Sequence, residues 1–223
     1  IMPSLVGSEM CIRDSEKVTR HDVKARIEEF NALAGQEHIH KGMTSRDLTE
    51  NVEQLQIFSS LQLARDKAVA VLARIGRRAA ENQSLVMAGR SHNVAAQATT
   101  LGKRFASAAD ELLVGLERIE DLLGRYPLRG IKGPMGTSQD MLDLVGGDES
   151  KLAALESTIA ENLGFSRVFD SVGQVYPRSL DMDALSALVQ VGAALSSLSM
   201  TIRLMAGNET VTEGFKEGQV GSS

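Results

Sequence analysis

The chain has no tryptophan, and its 223 residues include only two tyrosines, six phenylalanines, four prolines and one cysteine. With so few aromatic residues, a core must be built from leucine, valine, isoleucine, alanine and methionine, a set that favours helices over a β-sandwich. The single cysteine, Cys11, cannot form a disulfide bond within the chain. We therefore expect a reducing, cytoplasmic location.

An excess of positive charge is also absent, since 24 lysines and arginines face 29 aspartates and glutamates, for a formal net charge of −5. This balance argues against a nucleic-acid-binding surface, although a local basic pocket could still bind a phosphate. The most apolar stretch, residues 180–205, is interrupted by Asp181, Asp183, Gln190 and Arg203. We therefore expect neither a nucleic acid nor a membrane as a partner.

Residues 1–15 lack the basic start, the apolar run and the small-residue cleavage site of a signal peptide. They resemble the translation of sequencing-adapter DNA at the end of an assembled read. We interpret them as a non-native leader, so Cys11 has no place in the fold prediction.

Apolar residues at helical spacing predict five helices. The predicted helices cover residues 16–34, 48–82, 109–126, 151–163 and 180–206. In the second and third of them, the apolar residues recur at alternating steps of three and four, the spacing of long helices that pack lengthwise on neighbours. The predicted fold class is therefore all-α, a bundle of long helices.

Two of the predicted helices carry a further signal. Near the start of the second, Leu48, Val52 and Leu55 follow a different phase from the later stripe, so this helix is expected to contact different partners along its length. The last helix is apolar around most of its circumference and carries small residues, such as Gly192, that permit close approach. Such a helix requires burial on several sides, so we expect it to pack in an oligomer.

Polar residues cluster in blocks between the helices. The helical periodicity fails from residue 85 to residue 100, and residues 89–94 are interpreted as a connection that carries polar side chains. Thr44 and Ser45 are typical of a helix N-cap. A helix start with free N–H groups and two hydroxyls suits a carboxylate or a phosphate.

His38 and His40 alternate, so they could hold a metal ion from one side of an extended segment. The only other histidines are His21 and His92, and no third ligand cluster accompanies the pair. We therefore expect no metal. The segment Gly-Ile-Lys-Gly at residues 130–133 is not a Walker phosphate loop, because no Gly-Lys-Ser/Thr closes it onto a helix, and a simple turn accounts for it equally.

The polar blocks follow the order of signature segments in the fumarase/aspartase superfamily. The matching blocks are Thr19–Val23, Gly42–Ser45, Ser91–Asn93, Gly130–Gly133 and Gly221–Ser223. The chain resembles this superfamily over about residues 16–223, and most closely the branch that acts on purine nucleotides.

The resemblance implies an all-α bundle of long helices. In it, residues 16–44 would end an N-terminal helical domain and residues 45–223 would form an incomplete central bundle domain. Members of the superfamily continue beyond both ends of the matched region. The resemblance therefore implies a bundle truncated at both ends, an internal fragment that is not expected to turn over substrate alone.

The resemblance also implies a β-elimination that releases fumarate, in which an acid and a base act on opposite sides of the bond that breaks. It assigns His92 as the general acid, Ser222 as the general base and His21 as a residue that assists the acid or binds substrate. The substrate contacts that it implies are Arg20, His40, Thr44, Ser45, Ser91, Gln97, Lys132, Thr137, Ser138, Gln139 and Ser223. Many relatives have a glutamine at the position of Ser138, so either Ser138 or Gln139 is expected to reach the substrate.

No metal or organic cofactor is implied by the resemblance. The expected ligand is a small-molecule purine nucleotide, and the expected assembly of the full-length protein is a homotetramer in which each site draws on three chains. Two alternatives stay open. One is another fumarate-releasing lyase, such as argininosuccinate lyase, aspartase or a carboxymuconate-cycloisomerising relative; the other is a non-catalytic helical scaffold, which accounts for the long helices but not for the polar blocks.

Overall fold

The computed structural model describes residues 14–212, 214 and 217–219 of the chain. The elements, in chain order, are α1 (Asp22–Ala34), α2 (Ser45–Glu81), β1 (Val86–Ser91), β2 (Val94–Thr100), α3 (Leu101–Arg125), α4 (Gln139–Leu144), α5 (Glu149–Asn162) and α6 (Ser179–Gly207). Residues 14–19 are also helical. The described part of the chain is therefore mainly helical, as the sequence predicts.

The predicted helix over residues 16–34 is wrong in one respect, because it breaks at Arg20. Arg20 has a φ of 52°, and His21 caps a new helix, α1, that begins at Asp22. The break coincides with the irregular step of five residues between Val18 and Val23. The other predicted long helices are confirmed, although α3 begins earlier, at Leu101, where the Thr100 hydroxyl accepts a hydrogen bond from the Lys103 N–H at 3.0 Å.

The interpretation of residues 89–94 as an irregular connection is also wrong, because β1 and β2 pair there as an antiparallel hairpin. Ser91 pairs with Val94, so His92 and Asn93 form a two-residue turn, with φ values of 49° and 63°. A turn with both central residues at positive φ matches the twist of the flanking strands. The strands contain several alanines and a glycine, which is why the sequence pattern did not indicate them.

The described residues group into two compact units. Unit 1 lies within Ile1–Ile57 and Arg125–Pro177, and unit 2 within Phe58–Gly124 and Arg178–Ser223. The expected domain boundary between residues 44 and 45 stays a prediction.

Unit 2 contains the predicted heptad stripe of α2 and its counterpart on α3. On α2 the buried apolar residues Leu61, Ala68 and Ile75 recur every seven residues, as predicted, and on α3 Leu112 and Ile119 are fully buried. The heptad reading of both helices is therefore confirmed by burial.

Close approach of α3 and α6 occurs at Gly115 of α3. A β-carbon at Gly115 would lie 3.0 Å from the Val191 Cγ2 of α6. Gly192, one of the small residues of α6 that are expected to permit close approach in an oligomer, has open space around the position of a β-carbon in this single copy. The close contact within the described part of unit 2 is made by Gly115, and the expected role of Gly192 stays a prediction.

Helix α6 keeps much of its apolar surface exposed in a single copy of the chain, with Met182 65% and Val189 60% exposed. By length and composition alone, its 29 residues meet the criteria for a membrane span. A core helix of a soluble protein meets the same criteria, so one such helix is weak evidence. The expectations of an oligomer and of no membrane partner both stay predictions.

In unit 1, backbone hydrogen bonds connect two loop segments that lie outside the helices. The Leu128 N–H donates to the Arg167 carbonyl at 2.9 Å, and the Phe169 N–H donates to the Leu128 carbonyl at 2.9 Å. The rings of Tyr126 and Phe165 are 6.2 Å apart beside this pairing. These contacts hold the segment that follows α3 against the segment that follows α5.

Candidate functional site

A cavity of about 380 Å³ in unit 1 brings together residues from two of the predicted blocks. Its lining residues are His21, Val23, Lys24, Ile27, His40, Met43, Thr44 and Ser45. His21, His40, Thr44 and Ser45 were all predicted to take part in the site. We call this space the histidine cavity.

His21 is the N-cap residue of α1. Its Nδ1 accepts a hydrogen bond from the Lys24 N–H at 3.3 Å. A neutral imidazole that accepts at Nδ1 carries its proton on Nε2. The capping bond therefore leaves Nε2 of His21 as a donor.

His40 reaches the histidine cavity from the loop that precedes α2. Its backbone is in the left-handed region, with a φ of 68°. Its Nε2 is buried and has no hydrogen-bond partner among the described residues. A buried ring nitrogen without a partner is costly, and a polar group of a ligand would offset that cost.

Thr44 and Ser45 stand at the beginning of α2, as predicted for an N-cap. The Thr44 N–H donates to Oδ2 of Asp47 at 2.8 Å, which is half of a capping box. The side chain of Asp47 therefore fixes the backbone of Thr44 beside the histidine cavity.

Asp47 itself lies at the centre of a buried polar network that the sequence analysis missed. Its Oδ1 accepts hydrogen bonds from the N–H groups of Lys132 and Gly133, each at 3.0 Å, and forms an ion pair with the Arg129 guanidinium. The same guanidinium donates to the carbonyl of Gly133 at 2.9 Å. One carboxylate thus ties the start of α2 to the loop that follows α3.

Two amide side chains of α2 extend this network. Each donates one hydrogen bond to the backbone of residues 127–130 and accepts one from it. Asn51 exchanges hydrogen bonds with the N–H and carbonyl of Gly130, both at 3.0 Å. Gln54 donates to the Pro127 carbonyl at 2.9 Å and accepts from the Arg129 N–H at 2.6 Å. Side chains of α2 therefore hold the loop from residue 127 to residue 133 at several points.

A sequence signal for this network was present. Asp47, Glu50, Asn51 and Gln54 have the i, i+3, i+4, i+7 spacing of one helix face, and all four are buried. Leu48 and Val52, whose different phase was noted, are exposed instead. The buried residues of α2 are therefore polar up to Gln54 and apolar from Phe58 onwards, and the apolar pattern changes phase between these two parts.

Lys132 does not have a free ammonium group in unit 1. Its Nζ donates to Oε2 of Glu156 at 2.7 Å, and both side chains are largely buried. Oε1 of Glu156 accepts from the Ile131 N–H at 3.1 Å. The prediction that Lys132 contacts substrate stays untested, but its charge is already paired by a residue of α5.

Ser138 and Gln139 differ in accessibility. The buried Ser138 has a φ of 56°, and its hydroxyl donates to the Ile131 carbonyl at 3.2 Å. Gln139 begins α4 and is exposed, with its amide donating to Asp143 at 2.9 Å. Of the two candidates, Gln139 is the more accessible to a ligand, while the neighbouring Thr137 is also exposed.

A second cavity of unit 1, of about 720 Å³, is lined mainly by apolar side chains of α1, α2, α4 and α5. It shares Ile27, His40 and Met43 with the histidine cavity. An apolar lining is a poor environment for a carboxylate. The histidine cavity is therefore the better candidate for the charged part of a substrate.

The remaining predicted site residues in the described chain are exposed. Arg20 lies at the break before α1 in unit 1. In unit 2, His92 occupies the hairpin turn, Ser91 ends β1, and Gln97 pairs with Gly89 in β2. Ser222 and Ser223 lie outside the described residues.

No group of three or more histidine, cysteine, aspartate or glutamate side chains that could hold a metal ion occurs in residues 14–212, 214 and 217–219.

Comparison with known proteins gives a family match over most of the chain. The family described as Lyase matches residues 6–223. Adenylosuccinate lyase from Saccharomyces cerevisiae is 37% identical over 212 residues, which is 93% of this chain and 44% of that protein. The adenylosuccinate lyases of Schistosoma mansoni and Schizosaccharomyces pombe are 34% and 35% identical, with the same shares covered. The chain thus spans less than half the length of the curated relatives it matches.

The crystal structure of fumarate lyase from Mesorhizobium sp. BNC1 is similar to the chain, with a TM-score of 0.76 and 21% sequence identity. The likeness covers 92% of this chain and 46% of that chain. At this level of identity the comparison speaks for the fold, and it confirms the predicted helical fold of the fumarase/aspartase type.

Proposed function

The chain belongs to the Lyase family, and from this premise we propose that it acts in releasing fumarate from adenylosuccinate by β-elimination, leaving AMP. The same reaction is proposed for the succinyl-carboxamide intermediate of purine biosynthesis. The observation that carries the proposal is the histidine cavity, because His21 and the His40 to Ser45 segment come from separate blocks and line one space.

The proposed reaction breaks a carbon–nitrogen bond. A base removes a proton from the carbon beside a carboxylate, an acid protonates the departing nitrogen, and the electron pair of the broken C–H bond forms the double bond of fumarate. The proton is weakly acidic, so fixed hydrogen-bond donors must stabilise the carbanion-like intermediate. The histidine cavity offers imidazole groups and hydroxyls of this kind.

The proposed acid is His92 and the proposed base is Ser222. A hairpin turn supports His92 on a paired, hydrogen-bonded scaffold, as a residue that transfers a proton requires. A serine is a poor base at its ordinary acidity, so its loop must activate it on closing. His21, with Nε2 left as a donor, would assist the acid or bind substrate.

The proposed substrate contacts fall into two sets. His40, Thr44 and Ser45 would hold a carboxylate at the start of α2, where the helix dipole favours negative charge. The other proposed contacts are Arg20, Ser91, Gln97, Lys132, Thr137, Ser138, Gln139 and Ser223. Because Lys132 is paired with Glu156, its proposed contribution is to the local electrostatic field rather than through a free ammonium.

We further propose that the full-length protein is a cytoplasmic homotetramer. The exposed apolar residues of α6 support this proposal, since monomeric soluble proteins rarely expose large contiguous apolar patches. No cofactor takes part in the proposed mechanism.

The test is an elimination assay on the gene product that contains this chain, with adenylosuccinate, argininosuccinate and aspartate supplied in parallel. We expect fumarate to be released from adenylosuccinate alone, measured by the ultraviolet absorbance change. Release from argininosuccinate or aspartate instead would assign the protein to another lyase. Release from none would favour the scaffold alternative.

The role of His92 is tested by replacing it with alanine. The variant His92→Ala is expected to lose at least about a hundredfold in kcat while keeping its assembly state, since general acid catalysis contributes that much or more. The matched control is His38→Ala, an exposed histidine that is not assigned to the site. Equal activity of the two variants would refute the role of His92.

A further inference from the structure

A second polar cavity, of about 480 Å³, lies within unit 2 between the hairpin, α3 and α6. Two predicted substrate contacts, Ser91 and Gln97, line it, whereas its cations and the hydroxyls of α3 and α6 were not predicted to contact substrate. We call this space the hairpin cavity. Its volume is within the range of cavities that bind small molecules.

The lining of the hairpin cavity carries an excess of positive charge. Arg90, Lys103 and Arg104 contribute three cations, and Glu111 is the one acidic residue among the described residues of the lining. Arg90 and Arg104 also line a cavity of about 340 Å³, so the two cavities share these arginines. A chain with a net charge of −5 therefore concentrates positive charge at this place.

Arg104 has no ion-pair or hydrogen-bond partner among the described residues. Its Nε is buried, which removes it from water as well. A buried donor atom of a charged group is costly without a partner, and a negatively charged ligand would offset the cost. The ammonium of Lys103 likewise forms no ion pair within the described part of the chain.

The position of Lys103 and Arg104 in α3 is also unfavourable for a positive charge without an anionic partner. Lys103 and Arg104 lie in the first turn of α3, which carries no acidic residue. The helix dipole disfavours cations at this end and favours anions. The first amides of α3 are already used, since the N–H groups of Leu101 and Gly102 donate to the carbonyls of Leu85 and Asn82, each at 2.9 Å. An anion would therefore be bound by side chains.

Hydroxyl groups are also part of the lining of the hairpin cavity. Ser107 of α3 and Ser197 and Thr201 of α6 line the cavity. A phosphate group accepts several hydrogen bonds and is well matched by guanidinium and hydroxyl donors together.

We propose that the hairpin cavity is a binding site for a phosphate group, held by Arg104, Lys103 and Arg90 with hydroxyls of α3 and α6. The ligand is inorganic phosphate or the phosphate of a small molecule such as a nucleoside monophosphate. The proposal rests on the cations and hydroxyls of unit 2 and does not require the elimination reaction, although Ser91 and Gln97 of the same cavity are also proposed substrate contacts.

The test is isothermal titration calorimetry of the 223-residue chain with inorganic phosphate, AMP and adenosine at constant ionic strength. Constant ionic strength separates specific binding from screening by salt. We expect saturable binding of phosphate and AMP and none of adenosine. If AMP binds at least about tenfold more tightly than phosphate, the ligand of the site is a nucleotide. If the two bind with equal affinity, the ligand is free phosphate.

Two variants test the residues. Arg104→Gln is expected to weaken phosphate binding about tenfold or more, because it removes a charge-assisted hydrogen bond. Lys103→Gln, at an exposed position, is expected to weaken it about threefold. The control is Arg77→Gln, an exposed arginine of α2 in the same unit, which removes the same charge.

Circular dichroism of each variant shows whether it is folded, and Lys103→Gln keeps the test valid if Arg104→Gln does not fold. Absence of saturable phosphate and AMP binding by the unmodified chain would overturn the proposal. Equal affinities of the folded site variants and of Arg77→Gln would also overturn it.

Discussion

The guanidinium of Arg129 and the carboxylate of Asp47 form an ion pair in which both side chains are 0% exposed. Asp47 stands in the first turn of α2, and Arg129 in the loop after α3, 82 residues away in sequence. Because Asp47 also accepts from the Thr44 N–H, the pair connects this loop to the edge of the histidine cavity. The stability of unit 1 and the position of Thr44 therefore depend on the same carboxylate.

Replacing Asp47 by asparagine is expected to lower the free energy of unfolding by about 3–5 kcal/mol, since it leaves the Arg129 charge buried without its partner. The measurement is urea denaturation. The control is Asp66→Asn, which breaks the exposed ion pair with Arg65 and should cost less than about 1 kcal/mol. Similar losses of unfolding free energy in Asp47→Asn and Asp66→Asn would show that burial does not strengthen the contribution of the Asp47–Arg129 pair.

Replacing Lys132 by methionine is expected to lower the free energy of unfolding by about 1–3 kcal/mol, because Glu156 then loses its charged partner. If Lys132 only contacts substrate, Lys132→Met should keep the stability of the unmodified chain and should change only KM, which would rise. Urea denaturation of Lys132→Met and of the double variant Lys132→Met/Glu156→Gln distinguishes these outcomes. The double variant should recover part of the loss.

Gly102 and Gly76 are both helical glycines of unit 2, and they are expected to respond oppositely to alanine. A β-carbon at Gly102 would meet the carbonyl oxygen of Ala79 and lie 2.7 Å from the Gln83 nitrogen, whereas the same atom at Gly76 meets nothing within 4 Å. Gly102→Ala should therefore lower the thermal midpoint. Gly76→Ala should stabilise the chain by about 0.5–1 kcal/mol. Two shifts of the same sign would contradict the contact at Gly102.

Asp148 caps α5, and the hydrogen bond from the Ser150 hydroxyl, followed by that from the Lys151 N–H, lowers the pKa of its carboxyl. A pKa below that of the unfolded chain adds stability that is present above the unfolded value and is lost as pH falls through the folded value. Ser150→Ala should raise the pKa of Asp148 towards its ordinary value. The measurement is an NMR titration of the Asp148 carboxyl carbon.

The control for this titration is Ser157→Ala, which removes a hydroxyl of α5 that donates to Glu161. It should leave the pKa of Asp148 unchanged. A Ser150→Ala variant with the same Asp148 midpoint as the unmodified chain would show that the cap is not made in solution.

The helices with long apolar stripes could be predicted from the sequence, whereas the hairpin could not. Leu61, Ala68 and Ile75 are buried at the predicted spacing because a repeat of 3.5 residues keeps one face towards its neighbours. The hairpin at His92 is held by cross-strand backbone bonds between residues of weak strand preference, so local pattern carries little information about it.

The candidate site was predicted in part. His21, His40, Thr44 and Ser45 were named from the resemblance, and they line one cavity. The side chains that hold this region, Asp47 above all, were not named, because a polar residue in a helix is most often exposed. Its burial depends on a partner that cannot be identified from local sequence.

The amino-acid sequence by itself determined where the long helices of this protein lie, and its polar blocks determined which residues are candidates for chemistry. Only the tertiary structure decided that the first turns of α2 bury a polar face and that Lys132 is paired with Glu156. It also decided that Arg104 lines a cavity and has no polar partner among the described residues. The physical reason is that periodicity is a property of neighbouring residues. The pairing of a buried charge is set by groups that folding brings together from distant parts of the chain.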